Sequence, residues 1–324
     1  SVHEQRLRYL EIGSEATLKT SYHIFHPNYP RVKDIRYDHT KKSIISPRFD
    51  VNLISRYKLV VKIYRHLLCT SVFDTNDHCC ITYEQFRIEG ATVKEKTRFL
   101  SNLWSAHQFL GASFWRGVIL LTAEKEVSYV PLLFAEPEDA STYLNFNGCN
   151  LEEKKTHYHK IWGTGIACFH AIPQPLEQWI TQTYTTSELL FYHSASAFLK
   201  EASLLASQNT STKIYACIFD DNLIIAVIDN GQVRFVNLFT FRTPSDLIYY
   251  LLLVAEEHRL KPEEESLHWW GDFENNSPLA DIARTYFKEV IFGEPPTGLT
   301  FADELDETIK KHNFDIFAAY KMSI

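Results

Sequence analysis

The sequence predicts an α/β protein built from two similar halves, each with a mixed β-sheet flanked by helices. Residues 213–260 contain three apolar strands separated by turn residues and followed by a helix. Asn230-Gly231 between two apolar runs is a strong hairpin signal. Thr243-Pro244 with Asp246 is typical of a helix start that carries a capping box. An upstream stretch repeats this order, which indicates an internal duplication.

The upstream copy is the sequence KLVVKIYRHLLCTSVFD at residues 58–74, which aligns without a gap on KIYACIFDDNLIIAVID at residues 213–229. Ile63 falls on Ile218, and Leu68 falls on Leu223. Any two buried hairpins share apolar residues, so the hairpin alone would also fit coincidence. However, a third strand (79–88) and a helix with a Thr92–Glu95 capping box follow here too, and this favours duplication.

Further elements follow from apolar periodicity and from turn residues. In the first half we expect a helix at 93–110, strands at 117–122 and 127–130, and a short helix that begins at Glu136-Pro137. The polar segment 147–158 is predicted to connect the halves. Later elements are a strand at 164–172, a helix at 176–183, strands at 188–192, 266–270 and 290–292, and helices at 195–207, after Ser277-Pro278, and at 303–310.

This order predicts three regions. With 324 residues the chain is long enough for two domains that each bury a core. Residues 1–50 contain scattered prolines and only short apolar patches, so we expect an irregular N-terminal arm. Residues 51–163 are expected to form the first lobe and residues 164–324 the second, with the last helix packing back on the first lobe.

Composition narrows the function classes. The net charge of −7 argues against a nucleic-acid-binding surface. The longest apolar run, residues 247–255, is too short to span a bilayer, and no leader sequence is recognisable at the start. Six cysteines without a CxxC pair fit free thiols in a reducing compartment. We therefore expect a cytoplasmic protein without a membrane span.

Several segments resemble a known family. VRFVNLFTFRTPSDLIYYLLLVAEEHRL, LHWWGDFENNSPLADIARTYFKEV, VSYVPLLFAEPEDASTYLNF and FYHSASAFL are similar to an uncharacterised domain-of-unknown-function family of the Bacteroidetes with an actin-like ATPase fold. The resemblance covers roughly residues 48–322. It implies two ribonuclease-H-like lobes but no mechanism, because that family has no assigned activity.

Active actin-like ATPases carry an Asp-x-Gly-type turn in the first hairpin of each lobe, since backbone N–H groups must approach phosphate closely. The first turn here is Tyr64-Arg65-His66, without aspartate or glycine, and the second is Asp220-Asp221-Asn222, without glycine. A Gly-Gly turn that holds adenosine in such proteins corresponds to Trp270-Gly271-Asp272. The resemblance thus makes Asp220, Asp221, Asn222, Gly271 and Asp272 the candidate nucleotide-binding residues in the cleft between the lobes.

Three functions remain open. The leading hypothesis is a non-hydrolysing binding or scaffold module with degenerate phosphate loops, without a cofactor, whose partner is a protein or a second copy of the chain. The alternative is a nucleotide-binding switch or weak ATPase that uses Mg²⁺-ATP, similar to pilus-assembly and cell-division actin homologues. A ribonuclease-H-like nuclease is the weakest of the three hypotheses. Such sites need several convergent carboxylates for two metals, and the sequence does not indicate such a set.

Other motifs have structural explanations. Ser194 could be a nucleophile, but no Gly-x-Ser-x-Gly elbow surrounds it, and we expect it to cap the following helix. His157 with His159, and His23 with His26, could each supply two metal ligands, but neither pair has a third ligand at a recognisable spacing. We expect exposed histidines and no metal site.

Overall fold

A computed structural model describes residues 42–208, 211–271 and 276–324. The strands are β1 (Lys42–Ile45), β2 (Tyr57–Tyr64), β3 (Leu67–Asp74), β4 (Cys79–Arg87), β5 (Gly117–Thr122), β6 (Val127–Pro131), β7 (Lys154–Ile161), β8 (Ile166–Pro173), β9 (Glu188–His193), β10 (Lys213–Phe219), β11 (Asn222–Asp229), β12 (Gln232–Thr240), β13 (Ser266–Gly271), β14 (Glu289–Phe292) and β15 (Thr300–Phe301).

The α-helices are α1 (Val93–Ala106), α2 (Ala140–Phe146), α3 (Gln174–Thr183), α4 (Ser194–Ala206), α5 (Pro244–Glu257), α6 (Pro278–Tyr286), α7 (Glu307–His312) and α8 (Phe314–Met322). Short 3₁₀ helices cover Val51–Arg56, Leu132–Phe134, Pro137–Asp139 and Pro262–Glu264. The predicted capping boxes are present: Thr92 accepts from the Glu95 amide, and Thr243 accepts from the Asp246 amide.

The two large sheets have the same topology. In the first sheet the strands run β4-β3-β2-β5-β9, with β1 and β15 beside β4, and in the second they run β12-β11-β10-β13-β14. In each, the first three strands are antiparallel and the last two are parallel to the central strand. Irregularities after Val72 and after Val227 fall at aligned positions. This agreement confirms the duplicated α/β fold.

Helices alternate with the sheets in layers. The inner faces of both sheets pack on α4 and α8, which form one continuous core between them. The outer face of the first sheet packs on α1 and α3, and that of the second packs on α5 and α6. Adjacent Cys79 and Cys80 contribute to opposite faces, as the strand period requires. A third sheet, β6-β8-β7, is inserted between β5 and β9 and is covered by α2.

The structure departs from the sequence-based expectations at three places. The predicted connection 147–158 contains most of β7, which pairs with β8. Strand β9 pairs with β5, so it is the fifth strand of the first sheet, and we propose a boundary near His193 in place of 163/164. Helix α8 was missed because residues 314–320 are all buried between the two sheets, so its apolar residues do not recur with a helical period.

Other expectations concern the N-terminal residues, the cysteines and membrane-spanning segments. Residues 1–41, with His23 and His26, lie outside the described part of the chain. All six cysteines are free thiols. Among the described residues, no helix combines the length and apolarity needed to cross a bilayer.

Candidate functional site

Two hairpin turns, one from each large sheet, meet in the cleft between the halves. Tyr64 pairs with Leu67, and Phe219 pairs with Asn222, so each turn has two residues between its strands. The first turn residue is Arg65 in one copy and Asp220 in the other, and both are left-handed, with φ of 50° and 57°. An arginine rarely adopts this conformation, since a left-handed residue with a Cβ costs roughly 1–2 kcal/mol.

Arg65 bridges both acids of the opposite turn. Its Nη1 lies 2.8 Å from Asp220 Oδ2, and its Nη2 lies 2.6 Å from Asp221 Oδ2. The arginine side chain is 45% exposed and the two aspartates are 25% and 23% exposed. The two hairpin turns are therefore joined by a pair of charge-assisted hydrogen bonds at the rim of the cleft.

Below this rim, the contact continues with buried polar groups. The Tyr64 hydroxyl donates to Asp221 Oδ1 at 3.2 Å, and Asn222 Nδ2 donates to the Tyr64 hydroxyl at 2.9 Å. Asn222 Nδ2 also donates to the Ala123 carbonyl of the first half at 3.2 Å. Burial raises the pKa of Tyr64 well above its ordinary value, so this hydroxyl keeps its proton and can donate.

A further carboxyl group lies near this contact. Burial, together with the neighbouring Glu126 carboxylate, raises the pKa of Glu124, and the charge of Arg65 opposes that shift. Arg65 thus acts on three acids, of which it binds two directly. A phosphate in this position would compete with Asp220 and Asp221 for Arg65, and it would lie beside two carboxylates of its own charge.

The structure brings four of the candidate nucleotide-binding residues to one edge of the second sheet. Asp220, Asp221 and Asn222 follow the end of β10, and Gly271 ends β13 beside it, opposite Ile218. Asp272 lies outside the described residues. The carboxyl ends of parallel strands are where α/β sheets bind ligands, so the location fits a cleft site even though the turn acids already have a partner.

Gly271 has a structural reason to be glycine. Its φ is 122°, and a Cβ built there would lie 2.3 Å from the Ile218 carbonyl oxygen. Only glycine adopts this conformation without strain. The Gly271 backbone therefore lies close to β10, the neighbouring strand of the same sheet. This contact explains the glycine without a ligand.

A cavity of about 510 Å³ opens beside Gly271, between β13, α6 and α7. Its cationic side chains already lie near acids, with Arg284 Nη1 3.0 Å from Asp281 and Lys311 Nζ 3.5 Å from Glu294. The Trp270 indole packs on Gly293 so closely that a Cβ there would lie 1.7 Å from Nε1. The cavity is polar, of mixed charge, and large enough for a small molecule.

A buried ion pair ties the halves together at the centre of the molecule. Lys62 Nζ of β2 lies 2.8 Å from Asp315 Oδ2 of α8, and Ser194 Oγ of α4 donates to the same oxygen at 2.6 Å. Ser194 is therefore not the predicted cap; the His193 side chain accepts from the Ala195 amide instead. Sequence reasoning missed this pair, although a lysine inside an apolar strand was a signal for it.

His157 and His159 are not exposed, contrary to the sequence-based expectation. They lie on the face of β7 that also carries the side chains of Cys168 and His170 from β8. The prediction was wrong because it treated residues 147–158 as a connection, and so missed that strand pairing would bring a distant cysteine and histidine to the same face.

Comparison with known proteins gives the family and the fold. The profile of a family described as "Protein of unknown function (DUF3822)" matches residues 46–290. A structure from Bacteroides thetaiotaomicron VPI-5482, described as a protein with actin-like ATPase fold and unknown function, is 19% identical with a TM-score of 0.71, covering 85% of this chain and 99% of that chain. A PilM-PilN type IV pilus biogenesis complex has 11% identity, a TM-score of 0.56, and coverage of 82% and 98%. None of the curated proteins matches.

Proposed function

The chain belongs to the DUF3822 family, and we propose that it is a non-hydrolysing binding or scaffold module with an actin-like fold. The observation that carries this proposal is the contact between the two hairpin turns. Arg65 occupies the space between the turns and binds Asp220 and Asp221 at 2.8 and 2.6 Å. The cleft is thus closed by the protein's own charges, in the position where the fold would otherwise hold phosphate.

Nucleotide binding at this position would carry several costs. The ion pairs of Arg65 would have to break, and the released aspartates would face a phosphate of the same charge unless a cation came with it. Neither turn has a glycine whose amide could approach phosphate closely. These costs support a module that holds one closed conformation without nucleotide.

Thermal melting tests the proposal. The full chain is melted with and without millimolar Mg²⁺-ATP, Mg²⁺-ADP and Mg²⁺-GTP, and we expect no change in Tm. A nucleotide at one hundred times its Kd would stabilise the protein by about 2.7 kcal/mol, which is easily detected. A rise in Tm that disappears in Asp220→Ala, or a metal-dependent ATPase rate that this variant abolishes, would overturn the proposal.

A nucleotide-binding switch is the second candidate, because of the cavity beside Gly271. Arg284→Ala separates it from the first: this substitution removes a cation from the cavity wall and leaves the contact between the turns intact. If the switch is correct, nucleotide raises the Tm of the wild type and raises it less in Arg284→Ala. Equal melting curves with and without nucleotide for both proteins would reject the switch.

The partner that we propose is a protein, in a reducing compartment such as the cytoplasm. Two exposed apolar side chains lie at one end of the third sheet: Leu133 is 85% exposed and Trp162 is 69% exposed. They are close because Leu133 follows the end of β6, where Pro131 pairs with Ile166, and Trp162 lies in the turn just before Ile166. Such patches are typical of protein-binding surfaces. The PilM-PilN complex is a precedent for this fold in a protein assembly.

Sedimentation velocity tests whether that partner is a second copy. If it is, the wild type self-associates with increasing concentration and Trp162→Ser does not. Phe114→Ser is the matched control, because Phe114 is 70% exposed and lies outside this sheet. A wild type that stays monomeric at every concentration would exclude self-assembly and leave a different protein as the partner.

A further inference from the structure

The buried face of the third sheet carries a compact block of metal-binding side chains. His159 of β7 is directly opposite Cys168 of β8, and His157 is directly opposite His170. Because alternate residues of a strand share a face, these four side chains point the same way. One ligand atom from each of His159, Cys168 and His170 lies within 4.8 Å of the other two.

The imidazoles of this block have no hydrogen-bond partner among the described residues. His170 is fully buried, and neither of its ring nitrogens is bonded; both nitrogens of His159 are also buried and unbonded. A buried polar atom without a partner is costly and calls for an explanation. By contrast His193, beside the block, is fully engaged: it donates to the Glu124 carbonyl at 2.8 Å and accepts from the Ala195 amide at 3.2 Å.

We propose that His159, Cys168 and His170 form a structural zinc site that joins β7 to β8 on the face of the third sheet beside β9 and α4. Imidazole nitrogen and thiolate sulfur are both ligands that Zn²⁺ prefers, in tetrahedral geometry. In such a site the ligand atoms are roughly 3.3–3.6 Å apart, from metal–ligand distances of about 2.0–2.3 Å. The observed separations, all within 4.8 Å, shorten to these values when the metal binds.

Metal binding requires neutral imidazoles and a thiolate. The ring nitrogens of His159 and His170 are buried and have no bonded partner, so each ring can offer a lone pair for coordination. Binding to Zn²⁺ deprotonates a thiol outright. The proton of Cys168 then leaves to solvent as the metal binds.

His157 is the candidate for the fourth ligand. Its Nε2 is buried without a bonded partner, and its ring centroid lies 5.6 Å from that of His170. A site closed by four protein ligands has a structural role, since a catalytic zinc keeps one position open. Because His170 has no access to solvent, the metal enters as the chain folds.

The experiment is metal analysis of the full chain, purified after growth with added zinc and also refolded with Zn²⁺ or with Co²⁺. We expect one tightly bound metal per chain, and for cobalt a tetrahedral spectrum with a thiolate-to-metal charge-transfer band. Cys168→Ser removes that band. His170→Gln weakens zinc binding by more than the 10–100-fold that is typical of losing an outer hydrogen-bond partner of a ligand.

Matched controls come from the same molecule. Cys80→Ser changes another buried cysteine of the central core, and His268→Gln changes a buried histidine of the second sheet; both should keep the metal and the cobalt spectrum. The wild-type cobalt spectrum decides the matter even if Cys168→Ser fails to fold. A wild type without stoichiometric metal after both preparations, or a cobalt spectrum without a thiolate band, would overturn the proposal.

Discussion

Replacing Arg65 by alanine should loosen the contact between the two halves. The substitution removes both ion pairs with Asp220 and Asp221, so two adjacent carboxylates lose the attraction of the guanidinium. It also removes the guanidinium from the Tyr64 ring, whose centroid is 5.2 Å away. We expect lower stability and a more open cleft.

The magnitude follows from the exposure of these groups. Because Arg65 is 45% exposed, each ion pair contributes only about 0.5–1 kcal/mol, and the contact with the ring adds about 0.5 kcal/mol. The total is about 2 kcal/mol. With an unfolding entropy of roughly 2.1 cal/mol/K per residue over 324 residues, this lowers Tm by about 3 °C. Added salt should shrink the difference, since exposed pairs are screened.

A double-mutant cycle isolates the ion pairs from other effects of the substitution. Its corners are the wild type, Arg65→Ala, the variant with asparagine at positions 220 and 221, and the combination of all three changes. We expect a coupling free energy of about 1–2 kcal/mol. Arg65→Gly serves as the matched control, because glycine relieves the left-handed strain at φ 50° and should be more stable than Arg65→Ala by roughly 1 kcal/mol. Additive effects across the cycle, at low salt, would refute an ionic link between the turns.

Other substitutions have distinct expected results. Asp315→Asn removes the carboxylate that neutralises the buried Lys62 ammonium and should cost about 3–5 kcal/mol in urea unfolding. The loss should exceed that of the double substitution Lys62→Met with Asp315→Leu, and equal losses would argue against a desolvated ion pair. Gly271→Ala should cost well over the ~1 kcal/mol expected for Gly298→Ala, because a Cβ at Gly271 meets the Ile218 oxygen at 2.3 Å and one at Gly298 meets nothing within 4 Å. Burial and the charge of Lys213 lower the pKa of His268 to about 4; the unfolded chain, with a histidine pKa near 6.5, therefore binds the proton first as pH falls. Stability should drop between about pH 6.5 and 4 by up to ~3 kcal/mol, and His268→Gln should lose that part of the pH dependence; parallel pH profiles for the two proteins would contradict it.

Local sequence signals were sufficient for the duplicated hairpins. Apolar runs bounded by Asn230-Gly231 and by Asp220-Asp221 fix strand ends through turn chemistry alone, and capping boxes fix the starts of α1 and α5. These features depend on residues close in sequence. The gapless alignment then revealed the repeat without knowledge of the pairing.

Features that depend on distant pairing were not predictable in the same way. The sequence of β9 is compatible with either sheet, and only its hydrogen bonds to β5 show that it belongs to the first. Lys62 of β2 has a buried partner, Asp315, which lies in α8 near the other end of the chain. The histidines of β7 acquired their neighbours through pairing with β8. In each case the chemistry was visible in the sequence, but the neighbour was not.

The contact between the turns also explains why the two copies diverged where they did. Arg65 and Asp220 occupy the same position of the duplicated hairpin, and both are left-handed first residues of their turns. Two identical charged residues at these positions would face each other and repel. An arginine in one copy and an aspartate in the other turn the same geometry into an attraction. The contact of Arg65 with Asp220 across the cleft therefore depends on a position that differs between the two repeats. The fold of each half depends instead on the apolar strand residues that the repeats share.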